Sequence, residues 1–256
     1  MAVVEYERRD HVAIIRMNRP ERLNAMGHEL MMGLAQAWNR YKDDGEAWIA
    51  ILTGVGRAFC AGMDIKERLE SGKPGLGLPK LPLRDPYWEH ELDKPTIAAV
   101  NGYALGGGFF LTSWADLRVA SENAVFQITE VARSGLAGYD TGLWENLPYA
   151  IAAELAAGIK MSARRAYEVG FVNRLVPEGQ ALEAALELAH SLLESPPLAV
   201  HHNLRLLRSI RHARATPPPE IPAQAKKTNQ EMASTQDLQE ALRSFVEKRK
   251  PHYRRG

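Results

Sequence analysis

The chain has 256 residues, 45% of them hydrophobic, enough to fill one large domain or two small ones. Its 32 Lys+Arg and 31 Asp+Glu nearly cancel, so bulk charge gives no case for a nucleic-acid partner. The charged start, MAVVEYERRD, lacks the apolar run of an export signal, and the single cysteine, Cys60, excludes an internal disulfide and fits a reducing, cytoplasmic setting.

Residues 3–6 and 11–17 are β-rich runs on either side of Arg8-Arg9-Asp10, the pattern of a hairpin. Pro20 breaks that pattern by biasing its predecessor away from helix. Across residues 28–43, apolar Leu30, Met31, Leu34, Trp38 and Tyr41 recur at helical spacing and predict an amphipathic helix closed by Gly45. The continuous apolar run at 48–53, WIAILT, predicts a strand buried on both faces.

Residues 54–66, GVGRAFCAGMDIK, place glycine-rich backbone between that strand and a helix. A dinucleotide fingerprint fits poorly, because Phe59 stands where G-x-G-x-x-G needs its third glycine, and no Gly-Lys-Ser/Thr follows for a P-loop. Cys60 has no base paired with it in the sequence and reads as a small packed thiol rather than a nucleophile. Residues 71–87 are rich in Gly and Pro yet apolar, which predicts a mobile flap walling a pocket.

The stretch 94–112, KPTIAAVNGYALGGGFFLT, starts as a β-branched apolar strand at 96–100 and turns at Asn101-Gly102. It then meets Gly106, Gly107 and Gly108 before a new apolar helix at 109–114. A buried strand that ends in glycines and opens a helix leaves backbone N–H groups unpaired, approachable and favoured by the helix dipole for negative charge. That is the pattern of half an oxyanion hole. Two plainer readings compete: a transmembrane helix carrying Gly102-x-x-x-Gly106, disfavoured by its four glycines, Asn101 and Pro95, and a glycine turn needed only for packing.

Strands are predicted at 117–120 and 123–127, with Glu130 soon after and then a loop containing Gly135, Gly138 and Gly142. Beyond residue 150 the apolar spacing turns helical at 150–158, 162–169, 180–194 and 237–250, with Ser162 and Pro177 at expected helix starts. Strands alternating with helices, then helices alone, predict an α/β core followed by a helical C-terminal region.

Four segments in register, 19–26 (RPERLNAM), 57–67 (RAFCAGMDIKE), 94–108 (KPTIAAVNGYALGGG) and 245–251 (FVEKRKP), resemble the crotonase, or enoyl-CoA hydratase/isomerase, superfamily over essentially the whole chain. The resemblance implies a spiral ββα core at 1–195 and a helical trimerisation region at 196–256, assembled as a trimer or hexamer. It implies an enzyme acting on acyl-CoA thioesters with no separate cofactor, coenzyme A being part of the substrate. Carried over by position, the enolate-binding N–H groups belong to Met63 and Gly107. The backbone from Ala61 and Met63 through Asp64, Ile65 and Lys66 lines the CoA channel, Arg22 lies near the phosphates, and Phe245 and Lys248 reach the adenine end. The basic tail, KRKPHYRR, thus suits anionic CoA better than nucleic acid.

Family hydratases use two glutamates. Glu130 matches the second; the first is replaced by Phe110, whose ring can neither accept a hydrogen bond from water nor donate a proton. One carboxylate suits moving a proton between carbons, so the resemblance to single-glutamate enoyl-CoA isomerases is mechanistically closer than that to two-glutamate hydratases. Asp140, then Tyr139, with Glu145 nearby, are the candidates for a second acid. A non-catalytic acyl-CoA-binding homologue is the reading from another class. The eight histidines show no H-E-x-x-H spacing, so no metal site is expected, and there is no G-x-S-x-G elbow.

Overall fold

A computed structural model describes residues 2–70, 81–136, 138–139 and 147–254, with the side chains of 214 and 215 excepted. In chain order the elements are β1 (Val4–Arg9), β2 (Val12–Met17), α1 (His28–Asp43), β3 (Ile49–Gly54), β4 (Ala58–Cys60), α2 (Ile65–Glu70), β5 (Thr96–Val100), β6 (Tyr103–Leu105) and α3 (Gly107–Trp114). There follow β7 (Leu117–Ser121), β8 (Val125–Gln127), α4 (Tyr149–Ala156), β9 (Met161–Ser162), α5 (Ala163–Glu168), β10 (Arg174–Val176), α6 (Ala181–Leu193), α7 (Pro197–Ala215), α8 (Glu220–Met232) and α9 (Gln236–Glu247).

The strands fill two sheets. One has the order β1-β2-β3-β5-β7-β10, the other β4-β6-β8-β9. Only the β1/β2 hairpin and the β8/β9 pair run antiparallel. Each turn of chain therefore sends one strand to the large sheet and the next to the small one, then a helix or single helical turn: β3-β4-α2, β5-β6-α3, and β7-β8 with a 3-10 turn. That is the spiral ββα core of the crotonase fold.

The alternation of side chains along the central strands explains the layering. Ile49, Ile51, Ile97, Ala99 and Val119 pack on Ala184, Ala185, Leu186 and Ala189 of α6. The alternate residues Ala50, Leu52, Ala98 and Val100 face the main core with Leu30, Leu34 and Trp38 of α1. Burial on both faces is why WIAILT carries no polar alternation. The C-terminal helices are tied back to this core by Arg208 of α7, whose Nε lies 2.9 Å from Oδ1 of buried Asp116.

Four predicted features differ from the structure. The glycines follow not one strand but two, β5 in the large sheet and, after the Asn101-Gly102 turn, the three-residue β6 in the small one. The equally short β4 sits inside what reads as a single glycine loop. Pro177 ends the unpredicted β10 rather than starting a helix; α6 begins at Ala181. The described part of the expected flap, 81–87, is anchored: Tyr87 is buried, its hydroxyl donates to Leu111 O (2.5 Å), and its ring stacks 4.4 Å from Trp38. The rest of that segment, 71–80, lies outside the described residues.

Asn24, in the 19–26 segment, holds the small sheet to the start of the chain. It is fully buried with φ +54°, its Oδ1 accepts from Arg19 N (2.8 Å), and its Nδ2 donates to Val55 O (3.1 Å) and Ala58 O (2.8 Å). Asparagine tolerates the left-handed region better than alanine, and removal of the amide leaves buried partners unpaired. Asn24→Ala is expected to lower unfolding stability by at least about 2 kcal/mol, measured by urea titration. An unchanged midpoint would show that these bonds carry no net stability.

Candidate functional site

β4 and β6 are hydrogen-bonded neighbours in parallel register, Ala58 opposite Tyr103 and Cys60 opposite Ala104. Parallel neighbours end at the same edge, so the backbone following each emerges side by side. Contact there is too close for side chains: a Cβ at Gly108 would lie 2.1 Å from Cys60 O, and one at Gly62 would lie 2.7 Å from Leu105 O and 3.3 Å from Gly107 N. Gly62 also holds φ +81°, a conformation glycine adopts without strain.

Two amides are left over at this junction. Met26 N donates to Gly62 O (2.7 Å) and Asp64 N to Met26 O (3.2 Å), bonds that straddle Met63 and turn its own N–H the other way. Gly107 is the first residue of α3, with no helical carbonyl preceding it to bond. Gly106 N, by contrast, is taken by Gln127 O (2.8 Å). Among the described residues, neither the Met63 nor the Gly107 N–H has an acceptor. Together they form a small region of positive potential that suits an oxygen gaining negative charge.

Glu130 reaches the same place from the next turn of the spiral. β8 pairs with β6, Gln127 opposite Leu105, so the chain leaving β8 passes beside the glycines. A 3-10 turn at Val131–Arg133 follows, and Glu130 O accepts from Arg133 N (2.9 Å) and Gly135 N (2.9 Å). A Cβ on Gly106, whose φ is +52°, would lie 2.9 Å from Glu130 Oε1 and 2.8 Å from Thr129 Oγ1. The carboxylate therefore sits against the residue preceding the Gly107 donor. Its Oε2 is buried with no hydrogen-bond partner among the described residues. Burial pushes the Glu130 carboxyl above the ordinary carboxylate range, against the opposing pull of nearby backbone hydrogen bonds and the Arg133 charge. A carboxyl so placed is suited to take and return a proton nearer neutral pH.

The other sequence-derived site residues are distributed as follows. Asp64 turns inward: its Oδ2 lies 2.9 Å from Arg19 Nη1, its Oδ1 is 4.0 Å from Arg22 Nη1, and Oδ1 accepts from Glu67 N (3.1 Å), capping α2. Its side chain thus holds the Met63 loop, while Arg22 remains partly exposed beside it. Ala61 N is bound to Leu23 O (3.0 Å), Ile65 is buried and Lys66 is exposed. Phe110, half-buried one turn into α3, stacks on Trp114 (ring centroids 6.1 Å, 20°), and Trp88 meets Trp114 edge-on at 4.5 Å. Phe245 lies over Arg133 of its own chain, and Lys248 is the exposed, left-handed cap of α9. Asp140 and Glu145 lie outside the described residues; Tyr139 is half-buried.

Sequence reasoning missed Arg19 as a brace of the Met63 loop and Asn24 as the tie to β4, although both lie in the 19–26 segment, and it missed Arg133. Among the described residues no cluster of His, Cys, Asp or Glu is arranged to hold a metal. No described helix is long and apolar enough to cross a membrane.

Comparison with known proteins identifies the family and the fold. The family model for enoyl-CoA hydratase/isomerase matches residues 7–256. Enoyl-CoA hydratase EchA19 of Mycobacterium tuberculosis is 37% identical, covering 96% of this chain and 94% of its own. Carnitinyl-CoA dehydratase of Salmonella typhi is 36% identical over 93% and 92% of the two chains. The crystal structure of carnitinyl-CoA hydratase from Mycobacterium avium superposes with a TM-score of 0.84 at 33% identity, covering 99% of both chains.

Cys60 has no place in this chemistry. It is fully buried in β4, and burial pushes its thiol up to about 12. In the native protein it is expected to resist a disulfide exchange reagent, and to react once per chain only after denaturation. Rapid native labelling would contradict its packing role.

Proposed function

The chain belongs to the enoyl-CoA hydratase/isomerase family, and we propose that it binds an acyl-CoA thioester with the carbonyl oxygen between the Met63 and Gly107 amides. Charge that gathers on this oxygen as the thioester becomes an enolate meets donors already fixed in place. Losing one donor of this kind costs on the order of 2.7–4 kcal/mol of transition-state stabilisation. The observation that carries the reading is the Glu130 carboxylate packed against Gly106, beside one of those donors and with a buried oxygen free.

The names of the relatives favour addition or removal of water. In the addition direction, Glu130 accepts a proton from water as the water oxygen bonds to Cβ. The Cα–Cβ π pair moves onto the thioester to give the enolate, and Glu130 then returns the proton to Cα. A single carboxylate balances this sequence. Double-bond isomerisation is the second reading, favoured by one feature: α3 carries Phe110 where the two-glutamate hydratases place an acid, and no residue of α3 is ionisable. There Glu130 moves a proton between Cα and Cγ through the same enolate. Phe110 stacks on Trp114, which Trp88 meets edge-on, and we read this aromatic cluster as a dry side of the pocket for either.

The CoA moiety itself is the only non-protein group this chemistry needs. Exposed Lys66 and the partly exposed Arg22 are our candidates for its phosphates, with Lys248 and Phe245 toward the adenine. We divide the chain into a spiral core at 1–195 and a helical region at 196–256. Leu198, Leu206, Leu207 and Ile210 of α7 and Ile221 of α8 are exposed, which supports a homotrimer or hexamer assembled through that region.

The test uses 2-enoyl-CoA and 3-enoyl-CoA in separate assays with wild type and Glu130→Gln. Water uptake into 2-enoyl-CoA is expected, with a loss of about 10²–10⁴-fold in kcat for the variant. Turnover of 3-enoyl-CoA alone would favour isomerisation. An active Glu130→Gln protein, or CoA-thioester binding with no turnover across acyl lengths, would overturn the proposal.

A further inference from the structure

We propose that Arg133 is a positioning residue for the acid/base carboxylate, fixing a positive charge in the turn that carries Glu130, and that α9 clamps it there through Phe245. This rests on the reading of Glu130 given above.

The turn places the two side chains three residues apart, Arg133 N bonded to Glu130 O (2.9 Å). Arg133 is not free to swing into solvent. Its Nη1 donates to Thr129 O (3.0 Å), and its guanidinium carbon lies 5.0 Å from the centroid of the Phe245 ring. The ring face attracts the cation and shields it from water. A second tie holds the same elements together: Tyr253 Oη, from the segment after α9, donates to Ala132 O (3.1 Å). The arrangement leaves Arg133 Nε and Glu130 Oε2 both buried and unpartnered among the described residues. No ion pair closes between them. The charge thus sits in the same turn as the carboxylate without closing a bond to it, which leaves Oε2 available to a substrate proton.

The effect on Glu130 follows from electrostatics. Burial alone favours the neutral carboxylic acid, and the Arg133 charge opposes it. The acidic groups of α9 are engaged elsewhere. Glu240 and Glu247 are held by Arg249, and Asp237 Oδ1 accepts from Arg254 N (2.7 Å). Arg243 also lies on α9, while Glu130 is the carboxylate whose charge acts on Arg133. Docking of the C-terminal helix thereby sets how readily the catalytic carboxylate ionises.

The test is a titration of the Glu130 side-chain carboxyl by carbon-13 NMR, assigned by its loss in Glu130→Gln, alongside the pH profile of kcat/KM. In Arg133→Met the midpoint is expected to rise by about one pH unit, since an opposite charge nearby is removed. Arg133→Lys is expected to restore most of the wild-type midpoint, and Phe245→Leu to move it upward by less. Phe245→Leu retains the arginine and decides the matter if Arg133→Met does not fold. A lower kcat with an unmoved Glu130 midpoint in these variants would overturn the inference. The NMR titration reads Glu130 directly, so an active Glu130→Gln enzyme would sink the catalytic reading without deciding this one.

Discussion

The site depends on the pairing of two three-residue strands. Because β4 and β6 run parallel and adjacent, the chain leaving Cys60 and the chain leaving Leu105 surface at one edge. Glycine at 62 and 108 then lets two backbones approach more closely than any Cβ allows. Under the proposed reading, displacing either amide by an ångström would cost activity. This explains the bracing around them. Asn24 ties β4 to the chain start, and Asp64 and Arg19 hold the Met63 loop.

Charge at the site is handled with few groups. The donors are fixed dipoles, and burial raises the Glu130 carboxyl against the opposing pull of backbone hydrogen bonds and the Arg133 charge. Within α3 no acid accompanies Phe110. The phenyl ring instead joins Trp88 and Trp114, which is compatible with a carboxylate that both removes and returns the same proton.

Much of this was legible in the sequence. The spacing of Leu30, Leu34, Trp38 and Tyr41 marks α1 from end to end, and the apolar runs mark β3 and β5 because burial on both faces leaves no polar alternation. The resemblance places Glu130, Met63 and Gly107, and the structure brings all three together. What escaped was short or non-local. Three residues of β4 or β6 carry too little pattern to separate from a loop, and β10 is hidden by a proline that follows it. The inward turn of Asp64 depends on Arg19, forty-five positions away in sequence, and Arg133 gains its role only when α9 folds over it. Spacing along the chain cannot register such partners.

The most direct measurement is a crystal structure of the protein with a bound enoyl-CoA thioester, reading the distances from the thioester oxygen to the Met63 and Gly107 nitrogens. Both are expected at about 2.7–3.1 Å, with the Glu130 carboxylate facing Cα. A thioester oxygen contacting neither amide, or amides already engaged by the protein's own main chain, would contradict the central claim.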